Sequence, residues 1–430
     1  MPGISAGRDR VILALSALVL IFAVAAIGGL PSPHTSVPVF LALYAVAFAA
    51  YVVAARAVLR ASRPAVVAPV AIVAVCALAH AFVIPARPDL STDIYRYAWE
   101  GRLLLNGYNP FSAPPDDSAF VVLRDADYAH ISMQRMPTIY PPLAQAAFYL
   151  AARVHPGPTV LKVLFSLFNL GTALVLVRVL RRRGIPASRV LLFAWNPLVI
   201  IETGHSGHVD AMASFFLVLA LDLWESKRRV WAGIVLGASA LVKYLAVALV
   251  PWLARRRYVA VLAVMAAAIA AGYFPFLDAG GKLFASLRVY SENWWFNGPP
   301  YLALSSFLGD ATIARRLLAG GGMAFAVAAA YRERDLARYA YLVFGCMLAV
   351  SPTVYPWYLM WILPLLCLFP SRAWIAFSGL VMLSYGVWNV FNDTGEWFVP
   401  TWLLALEYAP FYLLLATAAS RMKRRAWAPA

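Results

Sequence analysis

Val11-Ile-Leu-Ala-Leu-Ser-Ala-Leu-Val-Leu-Ile-Phe-Ala-Val-Ala-Ala-Ile-Gly-Gly-Leu30 contains no charged residue. A hydrocarbon core about 30 Å thick is crossed by roughly 20 helical residues rising about 1.5 Å each, and this run is that long. Its apolar residues follow one another without the period-2 alternation of a barrel strand. Arg8 and Arg10 precede it, as they would precede a signal peptide. Similar runs continue to the C-terminus, so the stretch reads as a retained span.

Those further runs are Val39 to Ala55, Ala65 to Ile84, Val160 to Leu180, Val190 to Ile201, Val209 to Trp224, Tyr258 to Phe276, Ile313 to Ala330, Ala340 to Val350, Leu359 to Phe369, Trp374 to Trp388 and Thr401 to Ser420. Over the 430 residues, 63% are hydrophobic, 13% are charged and the mean hydropathy is +0.73, more apolar surface than a soluble core can bury. The expectation is an all-α polytopic membrane protein of about 12 full spans plus shorter half-embedded pieces. It reads as one transmembrane domain over 1–430, with three N-terminal spans in 1–85, a large loop over 86–138, and the remaining spans in 139–430.

The net charge of +16 does not point to nucleic acid, because the basic residues stand in short clusters one or two spans apart. That spacing is the positive-inside signature of topology. Arg8 and Arg10, Arg56 to Arg63, Arg181 to Arg183, Lys227 to Arg229, Arg332 to Arg338, Arg372 and Arg421 to Arg425 fall on the cytoplasmic side, together with both termini. Pro85 to Thr138, Glu202 to His208 and the loops near 290 and 355 then face outward. Trp231 to Ala254 lies between two cytoplasmic clusters, which requires a hairpin of two half-helices turning near Lys243. Such a break is tolerated at membrane depth only around protein or a water-filled cavity. Cys76, Cys346 and Cys367 lie in apolar runs and read as packing residues rather than disulfide or metal partners.

The polar residues gather on the outer side. Asp93 opens an amphipathic helix running to Leu105, flanked by Tyr95, Arg96, Tyr97 and Trp99. A carboxylate there can cap the helix or act as a base. The aromatic and basic surround suits a sugar or a headgroup. His205, His208 and Asp210 suit either a hydrogen-bonded cavity lining or a divalent cation; the spacing favours the lining, and no metal is expected. Lys243 is an ionisable group mid-run, which points to a cavity and an anionic partner such as a lipid phosphate. Arg288, Tyr290, Glu292 and Asn297 stand in another outer segment, where Arg288 with Glu292 one turn on can clamp a phosphate. Tyr355 and Trp357, in Tyr355-Pro-Trp-Tyr358, shape a rim with Pro352 and Pro356.

At these motifs the chain resembles a known family. Asp93-Ile-Tyr-Arg-Tyr-Ala-Trp-Glu-Gly-Arg102, Gly107-Tyr-Asn-Pro-Phe111, Tyr140-Pro-Pro-Leu143, Trp195-Asn-Pro-Leu198, Gly207-His-Val-Asp210 and Tyr355-Pro-Trp-Tyr358 are similar to motifs of the polyprenyl-phosphate-mannose-dependent mannosyltransferases of glycosyltransferase family 87 and its GT-C relatives. The resemblance runs from about Asp89 to Tyr358. It implies a multi-pass enzyme of the bacterial inner membrane, with an extracytoplasmic site, no cofactor, a polyprenyl-phosphate sugar donor and a lipid or glycan acceptor. It also implies that Asp93 is the catalytic base. In such enzymes the catalytic loop usually follows the first span; here it follows the third, with two extra spans ahead of it. The rival readings are a transporter or flippase with a midplane site at Lys243, and a lipid-linked oligosaccharide polymerase or ligase. No inverted repeat supports the first, and the second would rely on loop arginines rather than one Asp.

Overall fold

The computed structural model describes residues 3–60 and 67–426, with side chains at 7–60 and 67–418. The placements resting on Arg63, Ala65 and the side chains of Ser420, Arg421, Lys423, Arg424 and Arg425 lie outside the described residues. Among the described residues the chain is helical throughout, and its one strand-like feature is an isolated parallel bridge between Phe296 and Thr353. Seven helices are long and apolar enough to cross a membrane, beginning with Gly7–Gly28 and Val37–Arg60 and ending with Thr401–Ala418. Four shorter apolar helices join them: Pro69–Val83, Arg229–Val242, Tyr244–Arg255 and Leu336–Val350. The protein is an all-α polytopic membrane protein.

The long spans are fewer than the count of about 12 apolar runs suggested, for a local reason. The Val190 to Ile201 run breaks at Trp195-Asn-Pro, where Pro197 has no N–H to give and Asn196 instead caps the next turn, its side chain accepting from Leu198 N at 3.0 Å. The chain then passes into a π-helical turn, Ile201–His205. The Leu359 to Phe369 run is likewise wound as two short 3-10 helices, Pro356–Trp361 and Leu363–Cys367, each with proline in its first turn. Residues 191–205 are buried throughout, so protein surrounds the irregular backbone.

The hairpin formed between Arg229 and Arg255 matches its sequence reading. Arg229–Val242 ends at Lys243, which adopts extended backbone (φ −156°, ψ 136°), and the chain returns through Tyr244–Leu249 and Val250–Arg255. Its two ends meet: the Arg229 guanidinium lies 4.8 Å over the Tyr258 ring, and Tyr258 stacks on Trp252 at 5.7 Å. Lys243 therefore sits at the far tip.

Charge separates the molecule's two ends. Arg178 and Arg182 pair with Asp222 at 3.0 and 2.8 Å, and Arg183 pairs with Asp335 at 2.7 Å and with Glu225. Asp222 and Glu225 close the Asp210–Glu225 helix. Asp210 at its start lies about 22 Å away at about 1.5 Å per residue. At that second end the Asp93–Leu105 helix packs on Pro142–Val154, with Tyr97 stacked on Phe148 at 4.6 Å. The approach is close enough that a Cβ on Gly101 would stand 2.4 Å from the Phe148 carbonyl oxygen.

Candidate active site

Four segments converge at the second end. The first turn of the Asp93–Leu105 helix supplies Asp93; Glu202 to Asp210 supplies Glu202, His208 and Asp210; the hairpin tip supplies Lys243; and residues 355–361 supply a wall of rings. Gly207 lets two of them meet. It adopts φ +73°, and a Cβ there would lie 2.2 Å from Ile94 Cδ1, so only glycine allows His208 to pass directly against the start of that helix.

His208 is fully buried between two carboxylates, with Nδ1 3.8 Å from Asp93 Oδ2 and Nε2 3.2 Å from Glu202 Oε2. Its ring lies flat on Trp357 at 3.8 Å, and Trp357 stacks on Tyr355, which stacks on Phe296, both at 4.4 Å. Lys243 Nζ donates to both oxygens of Asp210 at 2.8 Å, and Trp361 Nε1 donates to Asp210 Oδ1 at 2.6 Å. The ammonium also rests over the Tyr358 ring at 4.6 Å.

Asp93 keeps its carboxylate free. Thr92 is the residue preceding the helix, no side chain caps it, and the Asp93 carboxylate is 28% exposed. Burial among the surrounding rings pushes its pKa up to about 6. The Lys243 ammonium opposes that rise, Asp210 adds to it, and the Tyr140 and Tyr97 hydroxyls favour the charged form. Burial drives both phenols well above their usual range, so they stay protonated beside the carboxylate.

The other residues singled out from sequence are placed unevenly. Tyr97, His208, Asp210, Lys243, Tyr355 and Trp357 gather around Asp93 as described. Arg96 turns instead into a buried network, bonded to Glu100 at 2.6 Å and to the Met133 and Met136 carbonyls, so it fastens the loop rather than facing a phosphate. Trp99 packs on Tyr128, and Tyr95 packs on His130. Arg288 and Glu292 are both exposed and form no ion pair with each other, so the clamp is not assembled. Tyr290 reaches the rim, its hydroxyl 2.5 Å from that of Tyr358. Asn297 is spent on Glu407 at 2.8 Å, inside the fold. His205 is buried with neither ring nitrogen bonded, away from the other two residues of its motif. Among the described residues no group of three or more His, Cys, Asp or Glu is arranged to hold a metal ion.

Residues 21–259 match the MptA_B family, described as alpha-(1->6)-mannopyranosyltransferase, N-terminal domain, over more than half of the chain. The chain belongs to this family. No curated protein and no solved structure gave a match. The protein is thus a membrane mannosyltransferase of the GT-C type, as the motifs implied. The matched residues hold Asp93, Glu202, His208, Asp210 and Lys243, whereas the aromatic wall of this mannosyltransferase, Tyr355 to Trp361, lies beyond them.

Sequence reasoning passed over three groups at the site. Glu202 stood in the quoted motif but was not singled out; an acid six residues before a histidine gives no helical signal until a π turn brings the two together. Tyr385, bonded to Glu202 at 2.9 and 3.1 Å, is 183 residues away in the chain and carries no local signal. Lys162 was read as part of a span, yet its ammonium is buried on the Val83 and Ala86 carbonyls at 3.2 and 2.6 Å, where it ties the third helix to the start of the outer loop.

Proposed function

We propose that the enzyme transfers mannose from a polyprenyl-phosphate donor to a hydroxyl of a lipid or glycan acceptor, on the extracytoplasmic face of the bacterial inner membrane and with inversion. The acceptor oxygen attacks the anomeric carbon as the bond from that carbon to the phosphate oxygen breaks. The acceptor proton passes to Asp93, and polyprenyl phosphate leaves with the electron pair. A base placed this way contributes roughly 10²–10⁴-fold. Lys243, 21% exposed beside the carboxylate, offers positive charge to the departing phosphate.

The observation that carries the reading is Asp93 itself: a partly exposed carboxylate, unspent on its own helix, beside a wall of rings and at the end opposite Arg178, Arg182 and Arg183. Tyr355, Trp357 and Tyr358, stacked on Phe296, His208 and Trp361, form a rigid aromatic wall whose edges border the space next to Asp93. The arginine-paired end takes the cytoplasmic side by the positive-inside rule, which leaves Asp93 outside.

The test incubates purified enzyme with a panel of polyprenyl-phosphate sugars and an alkyl α-mannoside acceptor and identifies the product. Wild type is expected to consume the mannose donor and release polyprenyl phosphate, and Asp93→Asn to lose at least about 10²-fold of that rate. A folded Asp93→Asn variant with near-normal turnover refutes the assignment of the base.

A further inference from the structure

We infer that Tyr385, Glu202 and His208 line up behind Asp93 and close into a hydrogen-bond chain that aims and ionises the proposed base when substrate binds. The inference rests on the reading of Asp93 given above and adds to it the residues that set its working state.

Each link is geometric. The His208 ring is held flat against Trp357 at 3.8 Å and 14°, so it cannot swing to another partner. Its two nitrogens lie nearest one carboxylate each, Asp93 at 3.8 Å and Glu202 at 3.2 Å, and neither is yet in hydrogen-bond geometry. Glu202 is fully buried and receives the Tyr385 hydroxyl at 2.9 and 3.1 Å. Among the described residues no lysine or arginine pairs with Glu202, and a buried carboxyl without a cation keeps its proton. Burial, and after it the Lys243 charge, disfavours a charged imidazole at His208.

One arrangement of protons leaves the three buried members neutral. Tyr385 donates to Glu202, the Glu202 hydroxyl donates to His208 Nε2, and His208 Nδ1–H is left pointing at Asp93. The three buried members are then neutral, and the negative charge rests on Asp93, the one partly exposed member. Both contacts of His208 close on small turns of the ring and of the Asp93 carboxylate, and catalytic hydrogen bonds commonly tighten when substrate binds. Asp93 is faced in addition by Lys243, Asp210, Tyr97 and Tyr140, and Glu202 by Asp210. None of these is hydrogen-bonded to His208 Nδ1, which leaves that nitrogen available to Asp93. His208 acts through Asp93 and is a positioning residue.

The test is the pH dependence of kcat/KM for full-length enzyme in detergent, with synthetic polyprenyl-phosphate mannose and an alkyl α-mannoside. His208→Phe keeps the stack on Trp357 and removes the donor. Its acid limb is expected to move up by about one pH unit from the wild-type limb, with kcat lower by about 10-fold. His208→Gln and Glu202→Gln each retain a side-chain N–H donor in the chain, and their acid limbs are expected to stay where the wild-type limb is, whatever their kcat. An acid limb of His208→Phe that coincides with wild type overturns the inference. So does a Glu202→Gln limb displaced as far as that of His208→Phe, which would signify an imidazolium held between two carboxylates. If His208→Phe does not fold, Glu202→Leu replaces it: its limb rises if the chain operates and stays in place if it does not. An active Asp93→Asn defeats the reading of the base, whereas an inactive Asp93→Asn beside an unshifted His208→Phe defeats only the chain.

Discussion

Lys243 Nζ lies 2.8 Å from both oxygens of Asp210, and the Trp361 indole closes on the same carboxylate at 2.6 Å. Asp210 is fully buried, so the pair holds the hairpin tip against the start of the Asp210–Glu225 helix. Removing one partner of a buried pair leaves an unmatched charge and costs about 3–5 kcal/mol, at the low end here because Lys243 is 21% exposed.

Lys243→Met and Asp210→Asn are therefore each expected to lower the apparent melting temperature in detergent as well as transfer activity. The double variant removes both charges and is expected to recover most of the stability and none of the donor affinity. A double variant no more stable than either single one would show that the pair does not hold the tip.

Asp93 has the opposite energetics. Its folded pKa of about 6 lies above the ordinary carboxylate value of 3.8, so the folded state binds the proton more tightly than the unfolded chain does. Its contribution to stability is fully present below about pH 4 and is lost as pH rises through about 6. Asp93→Asn removes that loss. Its melting temperature is expected to exceed that of wild type at pH 7.5 and to approach it at pH 4.5, while activity is lost at both. The two-unit rise bounds the gain at about 3 kcal/mol, since one unit is about 1.4 kcal/mol. A variant that melts earlier than wild type at pH 7.5 would make Asp93 a structural residue. Wild-type activity itself is expected to fall as pH drops through about 6, where the base becomes protonated.

The class of the fold was legible in composition and unbroken apolar runs, because a membrane imposes one requirement on every span. The hairpin at Lys243 was legible from parity, since two arginine clusters cannot both stay inside unless the run between them doubles back. Asp93, His208, Asp210 and Lys243 stood out because polar residues are expensive in such a chain. What was hidden is pairing. Arg96 and Arg288 carry the same charge at outer segments, and nothing local tells that Glu100 captures the first while the second is left exposed. The contact of Tyr385 with Glu202 depends on packing between helices far apart in sequence, and no periodicity records it.

Gly207 offers a test that touches no charged group. Alanine there meets a strained left-handed backbone and a Cβ position 2.2 Å from Ile94 Cδ1, so the Ile94 side chain or the Gly207–His208 backbone has to shift, and a backbone shift moves His208 relative to Asp93. Gly207→Ala is expected to reduce kcat by at least about 10-fold, because misplacing a catalytic arrangement by about 1 Å can cost about 10²-fold. Substrate KM should change less. The paired variant Gly207→Ala with Ile94→Ala opens that space and is expected to recover part of the rate; an unimproved double variant would trace the loss to backbone strain alone.

The orientation in the membrane decides whether the site can meet a donor presented on the outer leaflet. Ser118 lies in the loop beside the Asp93 helix, and Arg334 lies beside Asp335, where Arg183 pairs, at the opposite end; both are exposed. With Cys76, Cys346 and Cys367 replaced by alanine, a single cysteine at either position reports its side through an impermeant thiol reagent. Ser118→Cys is expected to be modified in intact spheroplasts, and Arg334→Cys only after the membrane is opened. The reverse pattern would put Asp93 on the cytoplasmic side. The donor would then have to be a sugar presented on the cytoplasmic side, and the positive-inside reading would fail for this chain.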